Sequence, residues 1–433
     1  MTRYVIIGTG ISGFAAAQTL RSLDPVAEIM LVSDDPHGFY SRPGLAYYLT
    51  GEIPEKQLFP FSKKGKLNLD VQYVKGRVTH LDPKSHSIEI NTQGTLVYDR
   101  LLLATGASYV PLEVPGADLR GLVKLDDLED TRKILSLVRR TKTAVVVGGG
   151  VVGIELVEGL VAQGIKVHYL LRGDWFWSNV LTEAESRLVE RYLAHDGVTL
   201  HHQTEIVEIL GKSGKVTGVR TTRGDIMRCD MVAVGIGVKA CKELAQAAGL
   251  KTDRGILANE YLQTSDPDIF AAGDVAQIFD PLSGRSSIDN LWYPGRKQGR
   301  VAALNMAGQN QMYQRTVATN VLRLAGVMTT IIGSIGSGRD DGQVYTARGS
   351  SETWQKLPNT IASESSTEVS QLRLMVGEKV LLGALVMGDQ KISRPLREMI
   401  NDHVDITPIR DQLLQSSAQM GQFVMDYWIK AKR

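Results

Sequence analysis

The sequence predicts an α/β protein with two doubly wound units and a smaller C-terminal α+β region, and three observations lead there. An apolar strand, a glycine turn and an Ala-rich helix open the chain as YVIIGTGISGFAAAQTL, residues 4–20. The pattern returns as TAVVVGGGVVGIELVEGLVAQG, residues 143–164, which places Gly148 140 residues after Gly8. From about residue 325 a separate C-terminal region of short strand-like runs begins. A chain of 433 residues is long enough for two or three separate cores.

Within the first unit, Tyr4–Ile7 reads as a strand and IMLVSD, Ile29–Asp34, as the next. Between them, Gly8 permits a tight turn, Gly10 lets backbone N–H groups approach a diphosphate, and Gly13 allows close helix packing, with Ala17 extending that small surface. Asp34, 21 residues after Gly13, stands where an acid accepts hydrogen bonds from an adenosine ribose. Residues 71–90 and 96–103 are rich in short β-like runs, and PLEVPGADLRG, Pro111–Gly121, is a turn-rich crossover between domains.

In the second unit Gly148, Gly150 and Gly153 take the same three roles, and KVHYLL, Lys166–Leu171, is the following strand. Stretches 198–219 and 231–235 are expected to complete its sheet. Residues 268–308 hold an apolar run, a glycine with an acid, and a helix expected to begin near Gly295 or Arg296. The C-terminal region has strand patterns around 327–335, 371–376 and 380–387, whereas 350–370 is polar enough for a loop.

Lys and Arg total 49 against 47 Asp and Glu, and a net charge of +2 creates no field for gripping nucleic acid. The two cysteines, Cys229 and Cys241, form neither a CxxC nor a metal-ligand pattern, so a reduced, cytoplasmic protein is expected. Met1–Arg3 lead straight into the first strand, which leaves no room for a targeting segment, and no run approaches the ~20 apolar residues of a membrane span.

Four landmarks in order, GTGISG with Asp34, YDRLLLATGA (98–107), VVVGGGVVGIEL (145–156) and TSDPDIFAAGDVA (264–276), resemble the FAD-dependent pyridine nucleotide-disulfide oxidoreductase superfamily. The resemblance implies two Rossmann-like domains, for FAD and NAD(P), the second inserted in the first: 1–115 with 250–325 for FAD, 116–249 for NAD(P), and 326–433 as a C-terminal α+β interface domain. It also implies that Gly273 and Asp274 meet the flavin, Asp274 at the ribitol chain. Ala104, Thr105 and Gly106 close the crossover, and Val78 meets the adenine through its backbone. Arg42, Tyr47 and Gly237 complete the cofactor-binding set. Glu155 is expected near the flavin–nicotinamide contact, or is simply a helix acid favoured by the macrodipole. Trp292, beside Tyr293, falls where such enzymes hold an aromatic near the isoalloxazine, or is half of a packed aromatic pair.

Disulfide reductases of this superfamily need a reactive thiolate near the first helix, and the chain has no cysteine before Cys229. In FYSRPGLAYYLTGE (39–52), Pro43 stands where single-cysteine members carry it. What remains is similar to the cysteine-free branch of ferredoxin and rubredoxin reductases and the flavoprotein portion of nitrite reductases, although Tyr47 replaces a lysine usual there. The implied activity is FAD-dependent NAD(P)H oxidoreduction toward a redox carrier protein or partner subunit. Arg172, after the second strand, favours NADPH, whereas Asp174, 21 residues past Gly153, favours NADH; the balance leans to NADPH. Met420, Phe423, Val424, Tyr427 and Trp428 lie on one face of a C-terminal helix. That face either anchors a membrane-surface quinone reductase, or packs on its own domain or on a second subunit in a homodimer. A flavin-binding module without turnover is the remaining alternative.

Overall fold

The computed structural model describes residues 1–60, 62–63, 66–67, 69–281, 284–336, 357–367 and 370–432. They form two compact units: Met1–Tyr48, Glu52–Tyr109 and Val238–Arg315 in the first, Leu49–Gly51, Val110–Gly237 and Thr316–Arg433 in the second.

The first unit is organised by a five-stranded parallel sheet in the order Ile269–Ala271, Arg100–Leu103, Arg3–Ile7, Glu28–Ser33, Gln72–Lys75. Its central strands bury nearly every residue, as parallel strands covered on both faces must. The chain leaves this unit through Ala107–Tyr109 and returns through Val238–Ala240, and these two segments pair antiparallel. The second glycine-turn unit is therefore inserted into the first. Helix Ile11–Leu23 packs closely on helix Trp292–Met306, because Gly299 lies so near Ser12 that a Cβ would stand 2.0 Å from the Ser12 carbonyl oxygen.

A second parallel sheet, ordered Leu122–Lys124, Met231–Val234, Thr143–Val147, Lys166–Leu170, Thr199–His201, organises the inserted part of the second unit. Of the 198–219 stretch only Thr199–His201 joins that sheet. Ile206–Lys212, Lys215–Thr221 and Ile226–Arg228 form an antiparallel meander instead. The reason is local: Ser213 and Gly214, with φ of 54° and 72°, make a two-residue reversal that forces antiparallel pairing.

The C-terminal part is an antiparallel sheet ordered Thr319–Leu324, Val327–Gly333, Leu381–Met387, Gln371–Val376, Ile361–Ser366, packed against helices Ser393–Asn401, Arg410–Leu414 and Met420–Ala431. Two expectations are corrected here and in the first unit. Of the loop expected at 350–370, residues 350–356 and 368–369 lie outside the described residues, but Ile361–Ser366 is an edge strand. Its composition hides this, because the one buried side chain is Ser363, whose hydroxyl donates to the Leu413 carbonyl. The helix expected from Gly295 or Arg296 starts at Trp292. Pro294 does not delay it, because the first-turn N–H groups have no intrahelical partner to lose.

Candidate functional site

In the first unit the strand Arg3–Ile7 runs into Gly8, whose φ of 109° suits glycine alone. A Cβ on Gly8 would stand 2.1 Å from the Ala104 carbonyl oxygen, and one on Gly13 would stand 2.0 Å from the Gly8 carbonyl oxygen. Beside Gly10, by contrast, nothing lies within 4 Å of the Cβ position. Gly10 caps helix Ile11–Leu23 without a side-chain hydrogen bond, and no acid lies in the first turn. An open glycine flank below an uncapped helix N-terminus fits an anionic diphosphate.

Two neighbouring acids follow the next strand, and their settings differ. Asp34 is 62 % exposed and lies 3.7 Å from the Arg77 Nε. Asp35 is 15 % exposed and lies 3.6 Å from an Arg42 guanidinium nitrogen. Its carboxylate accepts from the His37 amide at 2.9 Å, its own amide donates to Ser33 Oγ, and its carbonyl accepts from the Tyr73 hydroxyl at 2.6 Å. Asp35, one residue beyond the acid that the spacing selects, is thus the one held in place, and it brings Arg42 with it.

Around the turn the chain gathers three distant segments. Ala104 donates to the Ile7 carbonyl, Thr105 Oγ1 donates to the Cys241 carbonyl at 2.8 Å, and Gly106 takes a φ of 71°. Gly273, with φ of 85°, packs against Ser12, and its amide donates to Gln298 Oε1 at 2.7 Å. Half-buried Asp274 follows it directly. Trp292 begins helix Trp292–Met306, half-buried against Phe39 at 5.8 Å, and Phe39 stacks on Phe14 at 4.4 Å. Val78 opens an antiparallel meander, paired with Ile90, and Tyr47 is exposed on the short helix Gly44–Thr50. Pro43 sits immediately ahead of that helix. Cys229 is buried, which together with the Asp230 charge pushes its thiol up to about 12.

The second turn, described within its own unit, has the same backbone. Gly148 has a φ of 125°, a Cβ there would stand 2.2 Å from the Gly235 carbonyl oxygen, and one on Gly153 would stand 1.8 Å from the Gly148 carbonyl oxygen. Gly150 caps helix Val151–Ala162, again without a side-chain bond or a first-turn acid, and Glu155 is half-buried one turn in. Gly237, φ 120°, accepts the Val110 amide. One feature has no counterpart in the motif: fully buried Tyr169 donates its hydroxyl to the Gly148 carbonyl at 2.7 Å. Past the strand Lys166–Leu170, Arg172 and Asp174 are both exposed, and the Asp174 carboxylate accepts from Gln203 Nε2.

Asp35, Tyr169 and Gln298 escaped the motif reading. Asp35 carried a signal, the doubled acid; Tyr169 and Gln298 lie in elements of mixed composition, KVHYL and WYPGRKQGRVAALNM, and are recognisable only from what they touch.

At the C-terminal end, Met420 and Val424 are fully buried, and Phe423, Tyr427 and Trp428 pack on the same core. Tyr427 donates to the Asp405 carbonyl and Trp428 Nε1 to Glu398. The apolar face is spent within its own unit, which removes the motive for a membrane anchor. Among the described residues no helix is long and apolar enough to cross a membrane.

Comparison with known proteins agrees with this geometry. The family described as pyridine nucleotide-disulphide oxidoreductase matches residues 2–299. The ferredoxin–NAD(+) reductase component of a biphenyl dioxygenase system from Paraburkholderia xenovorans is 30% identical over 407 residues, covering 91% of this chain and 97% of that protein. An assimilatory nitrate reductase electron transfer subunit from Bacillus subtilis is 26% identical over 416 residues, 95% of this chain but 51% of the relative, so the chain spans about half of that protein's length. In fold, the chain is similar to a crystal structure of a ferredoxin reductase from Rhodopseudomonas palustris, with a TM-score of 0.84 at 24% identity over 97% of this chain and 98% of that one.

Proposed function

The chain belongs to the pyridine nucleotide-disulphide oxidoreductase family, and from that premise we propose that it is an FAD-dependent NAD(P)H oxidoreductase delivering electrons to a redox carrier protein, ferredoxin- or rubredoxin-like, or to a partner subunit. One observation carries the reading: the strand, glycine turn and uncapped helix occur twice with the same close approaches, once in each unit. The relatives' names supply the acceptor class.

When bound, a flavin accepts a hydride from a nicotinamide and passes electrons on singly. The chain's own residues bind and orient. The Gly8–Gly13 turn and the helix N-terminus behind it hold the FAD diphosphate, and Asp35 takes the adenosine ribose, with Asp34 outside it. Ala104–Gly106, Gly273 and Asp274 close on the flavin half with Tyr47 at its edge, while Val78 meets the adenine through its backbone and Arg42 stands beside Asp35. Trp292, braced by Phe39, shields the flavin side from water. The Gly148–Gly153 turn, with Gly237, holds the nicotinamide nucleotide, and Glu155 orients it. Arg172 favours NADPH, since Asp174 is already engaged by Gln203. Pro43 in the thiol position and the buried Cys229 leave catalysis to positioning rather than to a nucleophile. The scarcity of cysteine, two residues in neither a CxxC nor a metal-ligand pattern, favours a cytoplasmic location.

The test is to mix the flavin-loaded protein anaerobically with NADPH and, separately, with NADH, while following the flavin absorbance. Bleaching faster with NADPH is expected, and Arg172→Ala should erase that preference. A yellow protein reduced by neither nucleotide would overturn the proposal.

A further inference from the structure

We infer that Arg373, on the C-terminal sheet, is a positioning residue for the nicotinamide nucleotide, because it fixes the segment from Arg172 to Leu181 that flanks the second glycine turn. The inference rests on the reading of that turn as the nicotinamide-nucleotide site.

The segment contains a strained residue. Trp177 is buried with a φ of 52°, a left-handed conformation that a bulky side chain rarely adopts. Its backbone nitrogen lies 3.9 Å from the Cβ position of Gly149, so this strained point forms one wall of the turn. Such conformations persist only where the surroundings over-determine them, and they cluster at ligand clamps.

Two sets of contacts impose it. From helix Glu183–His195, Ser186 Oγ donates to the Phe176 carbonyl at 2.6 Å, and buried Glu190 accepts the Phe176 amide at 2.8 Å. Glu190 is itself held by His202 at 2.9 Å and Arg187 at 2.6 Å. The second set comes from 193 residues further along the chain. Arg373 donates from its guanidinium to the Val180 carbonyl at 2.7 Å, while its Nε lies 3.1 Å from Glu185 Oε1. Glu185 in turn accepts the Thr182 amide at 2.8 Å in a capping box, so the segment is clamped on both sides of Leu181. Val180 and Leu181 both donate their amides to the Trp177 carbonyl at 2.9 Å, which carries the constraint back to the strained residue.

Stability alone does not account for this arginine. Arg373 is the one charged residue in QLRLMV, a strand buried at all six positions, and a buried ion pair is often no more stabilising than apolar residues of similar volume. What apolar residues cannot supply is a guanidinium that donates to a carbonyl while its charge faces a carboxylate.

The experiment uses the full-length, flavin-loaded protein. Glu185→Met with Arg373→Met removes both charges while preserving volume, Arg373→Lys keeps the charge without the guanidinium, and Arg410→Met serves as a control, because Arg410 donates to Gly377 elsewhere in the same region. Titration calorimetry with NADP+, NAD+ and 2′,5′-ADP is paired with amide hydrogen exchange over 174–181, flavin content and melting temperature. The double variant is expected to fold and keep its flavin, to bind NADP+ and 2′,5′-ADP about tenfold more weakly, and to exchange faster at 176–181. Arg373→Lys should be intermediate and Arg410→Met unchanged. A folded double variant with wild-type affinities and exchange would overturn the inference. Wild-type protein binding none of the three probes would instead remove the nucleotide reading of the turn, and the inference with it.

Discussion

The two glycine turns are nearly superimposable in their constraints and unlike in what surrounds them. In each, a first glycine with φ above 100° lies about one carbonyl's reach from the next crossover strand, and a third glycine lies against the first one's carbonyl. The strands beyond them keep the same register: Ile6 pairs with Leu31 in one unit, Val146 with Tyr169 in the other. At that matched position the first unit has a leucine and the second a tyrosine bonded into the turn. Past the strand, the first unit offers a shielded acid paired with Arg42. The second offers an exposed arginine on a segment clamped by Glu190 and Arg373. On the proposed reading, the glycines set how closely a diphosphate would approach, and the side chains beyond the strand would set which nucleotide does.

The largest expected effect would separate the two turns outright. Gly13→Ala places a Cβ 2.0 Å from a backbone oxygen and Gly153→Ala one at 1.8 Å, overlaps that cost about 3 kcal/mol or more. Gly13→Ala is expected to yield protein without flavin, Gly153→Ala a yellow protein that NADPH no longer bleaches. Loss of flavin from both would show that the turns do not act independently. A middle-sized effect sharpens the first turn alone. Asp35→Asn should weaken FAD binding by roughly tenfold to a hundredfold, the worth of a charge-assisted hydrogen bond, whereas Asp34→Asn should leave it nearly unchanged; equilibrium flavin titration of the two apoproteins decides, and the reverse ranking would return the role to Asp34. The smallest sharpens the second turn. Tyr169→Phe removes the donor to the Gly148 carbonyl and should lower stability by about 1 kcal/mol, read as a drop of a few degrees in melting temperature, with Leu31→Met in the first unit as the matched control.

Much of this organisation was legible in the sequence because it depends on backbone rules that operate locally. A strand, GxGxxG and a helix admit few conformations, and their repetition 140 residues apart announced two such units. The Gly273–Asp274 landmark was legible only through the family resemblance. Errors arose where local composition misled. The Ile361–Ser366 strand is polar because it is an edge with a single inward serine, and helix Trp292–Met306 starts ahead of its proline. The amphipathic face at Met420–Trp428 was visible, but its destination was not, since a lipid surface and a protein core impose the same periodicity.

By itself, then, the sequence determined the two turns, the parallel sheets that carry them, and the lack of an early thiol, because each follows from residue type and short-range spacing. Only the tertiary structure decided that Asp35 rather than Asp34 is the shielded acid, that Tyr169 is tied to Gly148, and that Arg373 reaches Val180. Those choices depend on which side chains meet after the chain has crossed between strands, and contacts made across 193 residues leave no periodic trace along it.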